Sequence, residues 1–194
     1  MSDPAELLAV IESVVSAFRR QDVAYFITGS LASSIHGEFR ATNDLDVVAT
    51  LERRNLAPLI ASLSGEFLAD LDQAMEALEA GTSFNLIHRG TYLKVDVFPC
   101  LTAFDREATR RALDVVPSGG HGSLRVATRE DILLAKLRWY RLGGETSEVQ
   151  QRDIESLVAL NRDHFDHPYL TRWAEALGVE DLLRRFLGST ESGQ

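Results

Sequence analysis

The chain opens on an apolar stripe at helical spacing. Leu7, Leu8, Ile11, Val14, Val15 and Phe18 recur every three or four residues and predict an amphipathic helix ending near Arg19-Arg20. The pattern then changes. Residues 23–28 form a continuous apolar run that predicts a strand, and Gly29-Ser30 turns it into a short helix at residues 31–35. A second strand carries Asp44, Asp46 and the apolar pair Val47-Val48. Helices are predicted at residues 56–63 and 69–78, the latter with Leu71, Met75 and Leu78 inward and Gly81 beyond its end. Residues 83–88 and 92–98 alternate apolar and polar positions around Gly90-Thr91, which predicts a hairpin. A helix at 102–112 follows. Two short strands, 114–116 and 124–127, flank a turn at Gly119-Gly120-His121-Gly122, whose glycine spacing is not that of a dinucleotide-binding loop.

From Thr128 onward the strand period disappears. Thr128-Arg-Glu-Asp131 is a capping-box start for a helix to about Leu142, with Ile132, Leu133, Leu137 and Tyr140 at helical spacing. Gly143-Gly144 stops it. Ser147 caps the next helix, to about Leu160, and two more are predicted near 167–177 and 179–187. The expected fold class is α+β: a small mixed or antiparallel sheet flanked by helices over residues 1–127, then a helical bundle over residues 128–194.

Composition narrows the function. With 194 residues, 45% of them hydrophobic, the chain can bury a sizeable core. A net charge of −9 disfavours broad, non-specific nucleic-acid binding, which needs a basic surface. The single cysteine, Cys100, cannot form an intramolecular disulfide and points to a reducing compartment. No apolar stretch approaches the ~20 residues of a membrane span, and the N-terminus is acidic rather than signal-like. A cytoplasmic location is the expectation.

The chemistry gathers around Gly29-Ser30 and Asp44-Leu-Asp46. Side chains alternate along a strand, so Asp44 and Asp46 point the same way, about 6–7 Å apart. Such a pair repels unless a cation lies close, and hard divalent cations take oxygen ligands. A Gly-Ser turn opening a helix beside them suits a phosphate, because the glycine lets the backbone approach and the helix start offers N–H groups. Arg40 and Thr42 precede the acids, where a guanidinium can grip phosphate oxygens in pairs. Along residues 92–98, Lys94, Asp96 and Phe98 share one face and Leu93, Val95 and Val97 the other. Asp96 is a third candidate acid, and Pro99 suggests that its strand lies near a sheet edge.

These residues resemble the signature of the DNA polymerase beta-type nucleotidyltransferase superfamily: Gly-Ser, a short helix, Asp-x-Asp on the next strand and a third carboxylate on a later one. Within it, Arg40-Ala-Thr42-Asn-Asp44-Leu-Asp46 is similar to the pattern of the AbiEii-like abortive-infection toxins. The resemblance covers residues 22–100 and, loosely, 128–158. It implies that Asp44, Asp46 and Asp96 bind Mg²⁺ or Mn²⁺, and that Asp96 also favours loss of the acceptor hydroxyl proton. Gly29 and Ser30 would hold the triphosphate. Asp131-x4-Lys136 and Arg152-Asp153 look like the toxins' helical motif, giving Lys136 a catalytic role and Asp153 a substrate-binding one. The implied partners are an NTP, a hydroxyl acceptor on RNA, protein or a small molecule, and an antitoxin protein. Two alternatives stay open: a nucleotide-sensing or protein-binding module of the same fold without chemistry, and a metal-dependent nuclease, which would leave the Gly-Ser turn without a purpose.

Overall fold

The computed structural model describes residues 4–36, 44–118 and 122–188. Arg40, Thr42 and residues 119–121 of the glycine-rich turn lie outside them. The chain divides into two compact units, Met1–Leu31 with Ala41–Ala127, and Ala32–Arg40 with Thr128–Gln194.

The first unit begins with α1 (Pro4–Arg20), whose stripe buries Val10, Ile11, Val14, Val15 and Phe18. Then come β1 (Tyr25–Thr28), the start of α2 (Gly29–His36), β2 (Asp44–Ala49), α3 (Arg53–Leu63), β3 (Phe67–Leu68) and α4 (Leu71–Ala80). The unit continues with β4 (Phe84–His88), β5 (Lys94–Pro99), α5 (Ala103–Arg111), β6 (Leu113–Val115) and β7 (Leu124–Val126). Among the described residues the strands form one seven-stranded mixed sheet in the order β3-β4-β5-β2-β1-β7-β6. β2 and β5 are parallel, which requires the long connection through α3, β3, α4 and β4. β1 is antiparallel to β2 and parallel to β7.

Register makes the two sheet faces chemically different. Ile27, Leu45, Val47, Phe84, Leu86, Val95 and Val97 fall on one face and are at most 3% exposed. Each buried aliphatic or aromatic side chain stabilises the fold by about 1.5–3 kcal/mol. The core is therefore built on this face, which leaves the opposite face of the same strands able to carry charge.

The expectation that Asp96 lies near a sheet edge is corrected: β5 is an interior strand, paired on both sides by β2 and β4. Pro99 is tolerated because it is the strand's last residue; the next N–H, of Cys100, donates to Ala49 O at 2.9 Å. The two-residue β3 has no counterpart in the sequence reading, since it is too short to show a period.

The second unit contains α6 (Arg129–Leu142), α7 (Glu148–Asn161), a 3₁₀ turn (Arg162–His164), α8 (His167–Leu177) and α9 (Glu180–Gly188), together with the later part of α2. Ile132, Leu133, Leu137, Ile154, Leu157, Leu170, Leu182 and Leu183 make its core, and Tyr140 meets Phe186 edge-on at 5.9 Å. Thr128, Ser147 and Asp166 cap α6, α7 and α8 with their side-chain oxygens. The capping box expected at Thr128 is half made. Asp131 N–H donates to Thr128 Oγ1 at 3.2 Å, but the Asp131 carboxylate accepts from the hydroxyls of Thr128, at 2.7 Å, and Tyr169. Asp131 is only 2% exposed, and the tertiary partner wins over the local cap.

Candidate active site

Three strand pairings bring the predicted acids together. Across β2 and β5, Asp44 stands opposite Lys94 and Asp46 opposite Asp96. Thr28 at the end of β1 stands opposite Asp46, and Asn85 of β4 opposite Asp96. Residues directly across a ladder share a face. A polar row, Thr28, Asp46, Asp96, Asn85, thus crosses four adjacent strands, with Asp44 and Lys94 in the row beside it. Neighbouring strands are about 4.8 Å apart, so Asp46 and Asp96 sit at close quarters.

The turn after β1 is shaped around this row. Gly29 has φ +68°, a left-handed conformation that side chains other than glycine's rarely adopt. A Cβ built on it would lie 2.7 Å from Asp46 Cγ and 2.9 Å from Asp46 Cβ, with the carboxylate Oδ2 closer still. Only a glycine lets the β1–α2 turn press onto Asp46. Ser30 is the second residue of α2, and the first N–H groups of a helix have no partner within it.

Lys94 completes the group. Its Nζ is 2.8 Å from Asp96 Oδ2 and 3.9 Å from Asp44 Oδ1. The hydrogen bond to Asp96 pushes the Lys94 pKa up; burial opposes this, and the charges of Asp96, Asp44 and Asp46 add to it. The Asp96 side chain is 14% exposed and that of Asp44 57%. Sequence reasoning placed Lys94 on the Asp96 face but gave it no part. The available signal was a lysine two residues before an acid on one strand face.

Three aspartates offer the hard oxygen donors that Mg²⁺ or Mn²⁺ takes, so the donor chemistry fits such an ion. In the conformation described, the Lys94 ammonium stands among them, and the described residues contain no group of three or more His, Cys, Asp or Glu set out as a metal site.

The other candidates belong to the helical unit. Lys136 of α6 pairs with Asp153 of α7 at 2.9 Å, their side chains 13% and 23% exposed. The preceding Arg152 is on the surface, paired with Glu148 at 3.3 Å. The structure thus gathers Gly29, Asp44, Asp46 and Asp96 in one unit and joins Lys136 to Asp153 in the other, while Arg40 and Thr42 fall outside the described residues.

No protein-family model and no curated protein matches the sequence. Solved structures do match the fold. The antibiotic-resistance factor ANT(2'')-Ia superposes with a TM-score of 0.53 at 18% identity, over 96% of this chain and 95% of its own. Its complex with adenylyl-2''-tobramycin gives 0.53 at 16%, over 96% and 99%. An antigenic nucleotidyltransferase-like protein from Paracoccidioides brasiliensis gives 0.53 at 18%, over 93% and 92%. At these identities the likeness concerns architecture. The chain has the α+β fold of the nucleotidyltransferases, a mixed sheet flanked by helices.

Proposed function

We propose that this protein transfers a nucleoside monophosphate from an NTP to a hydroxyl acceptor and releases pyrophosphate, with Asp44, Asp46 and Asp96 holding Mg²⁺ or Mn²⁺. The observation that carries the reading is the seat of Asp46. It lies in register beside Asp96 and against a turn that tolerates no side chain. Packing does not require like charges side by side, and such pairs destabilise a sheet. When bound, the ion would neutralise these charges and polarise the phosphate under attack. The residues of the chain then have separate tasks. Backbone N–H groups of the Gly29-Ser30 turn bind the triphosphate, helped by Arg40 and Thr42. Asp96, more shielded than Asp44, accepts the proton of the attacking hydroxyl. The roles of Lys136 in catalysis and Asp153 in substrate binding, and the division of the chain into a catalytic core at 1–127 and a helical region at 128–194, complete the proposal.

The acceptor belongs to RNA, a protein or a small molecule; the net charge of −9 argues against a long nucleic acid held along a basic surface. The similarity to AbiEii-like toxins supports a finer form, in which the transfer harms a cell and an antitoxin protein restrains it. One observation favours a second reading, a nucleotide-binding module without chemistry: the Lys94 ammonium already stands among the acids. Incubating the protein with each α-labelled NTP, Mg²⁺ or Mn²⁺ and a cell extract separates the two. Label appearing in an acceptor supports transfer; NTP binding with no label transferred to any pool supports the module.

A further inference from the structure

We propose that Lys94 is a built-in counter-ion of the acid array, which a divalent cation must displace from Asp96 before the site can be loaded. The inference rests on the metal-dependent reading above. Lys94 lies on the strand of Asp96 and opposite Asp44 on the next strand, so its ammonium spans β5 and β2, 2.8 Å from Asp96 Oδ2 and 3.9 Å from Asp44 Oδ1. An exposed lysine pair would have little consequence. Here the two sides differ: the Lys94 side chain is 42% exposed but that of Asp96 only 14%, and a carboxylate so far withdrawn from water needs donors, which Lys94 supplies with a charge. The row beside it supplies no positive charge, since Asp96 is flanked by Asp46 and Asn85. A metal ion on Asp96 and an ammonium on the same oxygen would repel each other at contact distance. The two cations therefore compete for one place. Lys94 keeps the metal-free array together and weakens free metal binding, so that a metal arriving with its nucleotide is favoured over a bare ion.

The test uses the full chain with Mn²⁺ alone as probe, measured by titration calorimetry, and melting curves with and without Mn²⁺. Lys94→Met should bind Mn²⁺ about tenfold more tightly, the size expected for removing a unit charge a few ångströms away. It should melt lower than wild type without metal and recover with it. Lys94→Arg, which keeps the charge, should stay near wild type in both. Equal Mn²⁺ affinity and equal metal-free melting in Lys94→Met and wild type would overturn the counter-ion role and leave the metal site standing. Absence of Mn²⁺ binding in both would overturn the metal reading itself, and the inference with it. A measurement on wild type alone needs no variant to fold: the Lys94 ammonium signal, followed by NMR, should move as Mg²⁺ is added, and an unmoved signal at saturating Mg²⁺ contradicts displacement.

Discussion

Asp131 on α6 and Asp46 on β2 are both carboxylates drawn partly away from water, and they are held in different ways. Asp131 is 2% exposed and accepts hydroxyl hydrogen bonds from Thr128 and Tyr169. Nearby, Glu130, also buried, accepts from the Asp166 N–H at 3.2 Å. The hydroxyl of Tyr169 and the N–H of Asp166 thereby tie α6 to α8. Asp46 has a like charge, Asp96, across the ladder, and a glycine turn pressed against its carboxylate. A buried acid that accepts from hydroxyl and backbone donors orders a helix; acids in register with each other also set up an attraction for a cation. The contrast is what the proposed division between a functional Asp46 and a structural Asp131 predicts, and it can be tested.

Variants can break this contrast. The largest effect is expected from Gly29→Val. Its side chain would collide with Asp46 and would have to adopt φ +68°, so NTP binding and transfer should vanish and stability fall by roughly 2 kcal/mol or more, while far-UV circular dichroism keeps its helical shape. Normal NTP binding by the folded variant would place the phosphate elsewhere. Asp131→Asn is the mirror test. It disturbs the two hydroxyls that Asp131 receives and should cost about 1–3 kcal/mol by denaturant unfolding, with transfer per folded molecule unchanged. Lost transfer at unchanged stability would make Asp131 functional and erase the distinction. Lys136→Met sharpens the comparison on the helical side. It leaves Asp153 without its 2.9 Å partner and should lower stability by about 1 kcal/mol, and transfer by tenfold or more if the catalytic role holds. A drop in stability with full transfer would make the pair structural.

Much of this was legible in the sequence wherever a short period carried it. The alternation of Asp44, Leu45, Asp46 and Val47 set which residues face the core, and the helical stripes and caps from Thr128 onward marked α6 to α9. What was missed is non-local. Pro99 suggested an edge because proline lacks an N–H, but at the end of β5 that N–H is not needed, and the partners β2 and β4 lie far off in sequence. Asp131 looked like a local cap because its other partner, Tyr169, is 38 residues away. Lys94 was seen on the Asp96 face but given no part, because its closeness to Asp44 depends on parallel pairing across fifty residues. Gly29 shows the reverse: its motif was visible at once, while the collision that requires it appears only with Asp46 in place.

The most direct test measures nucleotide transfer and melting temperature on wild type and Asp46→Asn side by side. The substitution keeps the shape and removes one of the mutually repelling charges. The expected result is a melting temperature equal to or above that of wild type, with transfer from an α-labelled NTP reduced by several orders of magnitude. A variant that melts lower yet transfers label as wild type does would make Asp46 a structural acid and contradict the assignment of this sheet face to nucleotidyl transfer.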